Sequence, residues 1–140
     1  MYSSAYYEIL AGMIFVLIFI GLIALVVGIL YLLTLQNVLK RVRPENRSVD
    51  PSNVWLMLIP LFNLIYAFIL YPKISESIAR EYAAREMSPD GDFGKTLGTV
   101  MPILSLCGFI PVLGTFAGLA NLVIWIIYWS KMGGYKNSLA

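Results

Sequence analysis

An all-α fold, a polytopic transmembrane helix bundle, is predicted by three observations. Hydrophobic residues make up 59% of the 140 residues and the mean hydropathy is +0.79, whereas a soluble domain is nearer half apolar. Charged residues are only 13%, about half the usual share. They are also clustered, and the stretches between clusters reach the length of about 18 residues that reads as a membrane span. Together these predict about four membrane helices and an amphipathic linker helix in a single integral membrane domain, residues 1–140.

The first helix is expected over about 9–39. Its apolar run, Ile9 to Leu35, is too long for a secretory signal core, and the leading MYSSAYYEIL carries no basic residue, so it reads as a retained helix. Pro44 disfavours helix at the residue before it and ends the helix in a linker, RPENRSVDPSN. Asp50 followed by Pro51 is a helix start: a capping carboxylate, then proline at the first helical position.

A second membrane helix is expected over about 54–71. An amphipathic helix follows over about 73–87, with Ile74, Ile78 and Tyr82 as a narrow apolar stripe. Glu76 with Arg80 and Glu81 with Arg85 are spaced four apart in the favourable order. SPDG (Ser88–Gly91) reads as a turn. The last apolar block, Thr96 to Trp129, is too long for one span at about 1.5 Å per residue. GFIPVLG breaks it, giving helices over about 93–110 and 112–131, with the tail GGYKNSLA as a frayed end. The pair Ile-Pro followed by apolar residues occurs twice, at Ile59-Pro60 and Ile110-Pro111.

At 100° per residue each apolar segment has one face of small or polar residues. Leu56, Pro60, Asn63, Ala67 and Tyr71 share a face, as do Gly94, Gly98, Met101, Ser105 and Gly108. Gly114, Gly118, Asn121, Trp125 and Tyr128 form a third, and Gly21, Ala24 and Gly28 a fourth. Burying leucine between helices gains little in lipid, so close approach over small residues and interhelical hydrogen bonds hold such a bundle. Asn63 and Asn121 need partners on other helices, because an unmet amide in hydrocarbon costs several kcal/mol. Asn63, Asn121, Pro60, Pro111, Gly98, Ser105, Gly114 and Gly118 are therefore the candidate helix-packing or pore-lining residues. The bland reading of the asparagines is structural glue and the sharper one a polar path or an ion-binding site. For the prolines these are a kink and turn, against a hinge or re-entrant loop.

Two topology signals disagree. Four crossings put the first linker (Lys40, Arg41, Arg43, Arg47) opposite the second (Lys73, Arg80, Arg85, Lys95) and the tail (Lys131, Lys136). A re-entrant 54–71 would place all of these basic residues on one side, as the positive-inside rule favours. Against that, Trp55 and Tyr71 lie about 24 Å apart along a helix, near the spacing of two interfacial belts. A crossing is the expectation for the segment.

The chain has no histidine and one cysteine, Cys107. A His/Cys metal site is excluded, and no base stands beside a nucleophile, so no enzyme, cofactor or metal is expected. Asp90-Gly91-Asp92 offers too few oxygens for calcium. A net charge of +2 does not argue for nucleic acid. The expected partners are the lipid bilayer and a further copy or another membrane protein.

RPENR (Arg43–Arg47), VWLMLIPLFNLIYAF (Val54–Phe68), ISESIAREY (Ile74–Tyr82), GKTLG (Gly94–Gly98) and LCGFIPVLGTFAGLANLVIWIIYWSKMGGY (Leu106–Tyr135) together resemble a group of small uncharacterised bacterial four-helix inner-membrane proteins. The W-x-x-x-x-P-x-x-N-L pattern from Trp55 is similar to a broader bacterial domain of unknown function. The resemblance implies a multi-pass protein of the bacterial inner membrane and brings no activity with it. The expected role is an oligomerising structural or interaction component. The alternatives are a homo-oligomeric pore or small-solute channel, and an accessory subunit of a membrane enzyme or transporter.

Overall fold

A computed structural model describes residues 3–139. Its described residues form four α-helices, α1 (Ser4–Arg41), α2 (Phe62–Ala84), α3 (Lys95–Cys107) and α4 (Leu113–Ser138), and two 3-10 helices, Pro44–Asn46 and Pro51–Leu58. Two helices, α1 and α4, are long and apolar enough to cross a membrane. The chain divides into two compact units, Met1–Tyr31 and Leu32–Ala140, where the sequence suggested one domain.

In the first unit, α1 is a bare apolar rod. Its side chains are exposed from Ser4 through Val26, and a Cβ added at Gly12, Gly21 or Gly28 would meet nothing within 4 Å. The same helix changes character on entering the second unit, where Leu35, Val38 and Leu39 are fully buried.

The second unit departs from the expected helix boundaries in an informative way. The segment expected as one helix over 54–71 is broken. Asp50 accepts from Ser52 N–H at 2.9 Å and starts the 3-10 helix Pro51–Leu58, which stops at a tight turn through Ile59, Pro60 and Leu61. Helix α2 then runs from Phe62 straight through Pro72 to Ala84, merging the second half of the expected membrane helix with the amphipathic one. Proline thus ends a helix at Pro60 and is tolerated at Pro72, where the buried neighbours Leu70, Tyr71, Ile74 and Ile78 hold the helix in place. The expected stripe of Ile74, Ile78 and Tyr82 is buried. Helix α2 closes with Glu86 at φ 56°, and with Met87 N–H donating to Tyr82 O and Glu86 N–H to Ala83 O. That is a Schellman cap with glutamate in place of glycine.

Asp92 takes bonds from the N–H groups of Gly94 (3.1 Å) and Thr96 (2.9 Å) and so begins α3. A second tight turn, through Ile110, Pro111 and Val112, leads into α4. The tail expected to fray continues α4 to Ser138, because Met132 and Tyr135 are buried and Tyr135 packs its ring against Tyr82 and Phe93.

The second unit is therefore two antiparallel hairpins, Pro51–Leu58 with α2 and α3 with α4. Ser75 Oγ donates to Phe93 O at 2.9 Å, the Tyr71 and Tyr128 rings meet edge-on with centroids 5.0 Å apart, and Trp129 Nε1 donates to Thr34 Oγ1 at 3.0 Å. All charged residues of this unit fall in 40–50, 73–95 and 131–136, at the end opposite the two turns. The first linker lies on the same end as the second linker and the tail, which corrects the expectation that four crossings would separate them.

Candidate functional site

The two hairpins bring three of the expected polar residues to one cleft of about 190 Å³, lined by Asn63, Ser105 and Asn121 together with Tyr71, Met101 and Trp125. Asn63 sits on the first turn of α2, just past Pro60. Its Nδ2 donates to Met57 O at 3.1 Å, meeting a carbonyl of the 3-10 helix about one turn before the proline. Asn121, on α4, donates from Nδ2 to Ser105 Oγ on α3 at 3.0 Å. Ser105 Oγ donates its only proton to Met101 O at 3.0 Å, so toward Asn121 it can only accept. That fixes the amide orientation and turns Asn121 Oδ1 away from Ser105. This oxygen is buried and has no hydrogen-bond partner. In an apolar surround an unmet acceptor costs about 1–3 kcal/mol.

The remaining candidates serve packing. A Cβ on Gly98 would lie 2.7 Å from Tyr71 Cβ, and one on Gly114 2.5 Å from Gly108 O. Both glycines permit a close approach, the first of α3 to α2 and the second of α4 to the turn before it. Gly118, by contrast, has nothing within 4 Å of an added Cβ and borders a shallow hollow beside Asn121 and Trp125. Pro60 and Pro111 each occupy the middle of a tight turn.

A second polar cluster, at the charged end, was not foreseen. The spacing on the amphipathic helix predicts only the pairing of Glu81 with Arg85. Instead Glu81 is fully buried. Arg43 Nε donates to its Oε1 at 3.0 Å and Arg43 N–H to its Oε2 at 3.1 Å, while Asn46 Nδ2 reaches Oε2 at 2.8 Å and Arg85 Nε reaches Oε1 at 2.8 Å. Burial pushes the carboxyl pKa up, but these four donors outweigh it and hold the group at about 2. Arg85 also donates to Leu139 O at 3.2 Å and Arg41 O at 3.1 Å, and Arg41 donates to Lys136 O. Glu81 thereby ties the first linker to α2, and Arg85 extends the tie to the ends of α1 and α4. A hint in the sequence was that Glu81 falls within the apolar stripe of Ile74, Ile78 and Tyr82, three residues after Ile78, but it names no partner in RPENR.

Chemically, the cleft offers neutral hydrogen-bond donors and acceptors, and the cluster at Glu81 is a saturated ion pair with no lone pair aimed at solvent. No family model, curated protein or solved structure matches the chain.

Proposed function

We propose that this chain is a non-enzymatic integral protein of the bacterial inner membrane that works by associating with further copies of itself or with a membrane-protein partner. One observation carries the reading. The apolar stretch of α1 is long enough to cross a bilayer, and its side chains are exposed from Ser4 through Val26. In lipid, helices of this kind associate through backbone approach at small residues, and Gly12, Gly21 and Gly28 leave room for that approach. The absence of histidine and the saturated state of Glu81 support a non-catalytic role. Cross-linking in native membranes, analysed by mass, tests the proposal. A ladder of homo-oligomers or one discrete partner is expected, and a strictly monomeric species with nothing attached overturns it.

A pore built from several copies is the second reading, favoured by the convergence of Asn63, Ser105 and Asn121 on one cleft. Solute flux into liposomes, with Asn63→Leu as the control, tests it. Equal leakage from empty and protein-bearing vesicles removes it.

A further inference from the structure

The two tight turns are one structure made twice. Ile59-Pro60-Leu61-Phe62-Asn63 and Ile110-Pro111-Val112-Leu113-Gly114 align residue for residue. Leu61 lies at φ 65°, ψ −46° and Val112 at φ 70°, ψ −59°. In each, the residue after the positive-φ position donates back to the proline carbonyl, Phe62 to Pro60 at 2.7 Å and Leu113 to Pro111 at 2.8 Å. The next N–H returns to the isoleucine, Asn63 to Ile59 at 3.0 Å and Gly114 to Ile110 at 2.7 Å. These are γ-turns of the rare positive-φ hand, which are strained, and a β-branched residue such as Val112 is an outlier there. Strain of this kind persists only where the surroundings over-determine it.

The surroundings in question are apolar. The tip residues Leu61 and Val112 are 75% and 78% exposed, and Ile65, Phe109 and Phe116 beside them are exposed as well. No charged residue occurs from Pro51 to Pro72 or from Thr96 to Ser130. A turn emerging into water on the far side of a membrane would gain from polar residues, and neither turn has one at its apex. Hydrocarbon offers no hydrogen bonds, so a turn survives there only with its backbone groups bonded internally. Here proline removes one donor from each apex, and Phe62, Asn63, Leu64, Leu113, Gly114 and Thr115 all donate within their own turn, which leaves the N–H of Leu61 and of Val112 as the donor without a bond in each.

Length gives the same answer for the first turn. At about 1.5 Å per residue, the rise from Lys73 back to Leu61 along α2 is about 18 Å, well short of a hydrocarbon core about 30 Å thick. From Lys131 back to Val112 along α4, a helix long enough to cross, it is about 28 Å, so the second tip ends near the far edge of the core.

Resting on the membrane reading above, we infer that both Ile-Pro turns are the tips of re-entrant hairpins whose partner is the acyl-chain region of the bilayer. The hairpins enter and leave from the one face that carries residues 40–50, 73–95 and 131–136. In this respect the chain from Leu32 onward is inserted from one side and crosses nowhere.

Single-cysteine labelling of the full chain in sealed native membranes tests this, in a Cys107→Ala background with a membrane-impermeant maleimide applied from either side. E45C, S88C and N137C are expected to label from the same side. L61C and V112C are expected to label from neither side, and to label once detergent dissolves the bilayer. Labelling of E45C from the side opposite S88C, or of either tip from the side opposite S88C, overturns the inference. Labelling of E45C and S88C from opposite sides overturns the inference even where a tip cysteine resists labelling in detergent. Carbonate washing separates the two proposals: a chain that leaves the membrane defeats the membrane reading itself, whereas a chain that stays while its tips label from the far side defeats only re-entry.

Discussion

Arg43 Nε stands 3.0 Å from Glu81 Oε1, bridging the first linker and α2 with a carboxylate that has no exposed surface. Removing that carboxylate leaves Arg43, Arg85 and Asn46 without their shared acceptor. Breaking a buried pair costs about 3–5 kcal/mol when the stranded charge stays buried. The side chains of Arg43 and Arg85 are 47% and 31% exposed, so both can regain water. The expected loss for Glu81→Ala is therefore nearer the value for hydrogen bonds to charged groups, about 1.5–3 kcal/mol. Denaturation in detergent micelles checks it. Arg43→Ala is expected to cost less, since Asn46 and Arg85 still hold the carboxylate.

The same carboxyl sets a pH dependence. Its pKa falls from 4.5 to about 2 on folding, so the folded state binds the proton more weakly than the unfolded state. The stabilisation is complete above about pH 4.5 and is lost as pH falls toward 2. Asp50 and Asp92, both lowered by hydrogen bonds from Ser52 and Thr96, act in the same direction. The contribution of Glu81 is isolated by difference. The gap in melting temperature between the wild type and Glu81→Gln should be constant above pH 5 and close between about pH 4.5 and 2. A gap that stays constant down to pH 2 would assign the loss to other groups.

Gly98 and Gly118 sit on comparable faces of neighbouring helices and should answer substitution with opposite signs. At Gly98 a methyl would lie 2.7 Å from Tyr71 Cβ, the root of a side chain that cannot swing aside. Gly98→Ala is expected to force α3 off α2 and cost about 1–3 kcal/mol. At Gly118 the space is open, and Gly118→Ala should gain up to about 1 kcal/mol of helix propensity. Melting temperatures in the same detergent compare the two directly.

The all-α class and the approximate count of apolar segments were legible because charge and hydropathy alternate in long blocks. Boundaries at prolines were not. A helix drawn through Pro60 and stopped before Pro72 reverses what the structure does, since a lone proline is decided by its packing. Pro72 is flanked by buried Leu70, Tyr71 and Ile74, while Pro60 stands among exposed side chains where nothing resists a turn. The repeated Ile-Pro was visible, but its meaning as a repeated apex requires the φ of Leu61 and Val112, which composition does not encode. The spacing of Trp55 and Tyr71 misled because it assumed a continuous helical rise across Pro60. Asn63, Ser105 and Asn121 were legible as amides and a hydroxyl that must face protein. Glu81 was not, because its partners come from a linker 35 and 38 residues away, a separation that helical periodicity cannot see.

The cleft allows a test of whether its polar groups are self-contained. Ser105→Ala removes the acceptor for Asn121 Nδ2 while Asn121 Oδ1 already lacks a donor, leaving the whole amide unmet at an expected cost of about 1–3 kcal/mol. Asn121→Leu exchanges one hydrogen bond for the removal of an unmet acceptor, and its two methyls take the places of the amide oxygen and nitrogen, so its own effect should be small. The double variant Ser105→Ala/Asn121→Leu should then be more stable than Ser105→Ala alone, because no amide remains to strand. The coupling is read from melting temperatures of the four proteins as a double-mutant cycle. A Ser105→Ala variant as stable as wild type, with no coupling to Asn121, would mean that the amide draws its donors and acceptors from outside the chain, from a second copy or from a molecule held in the cleft.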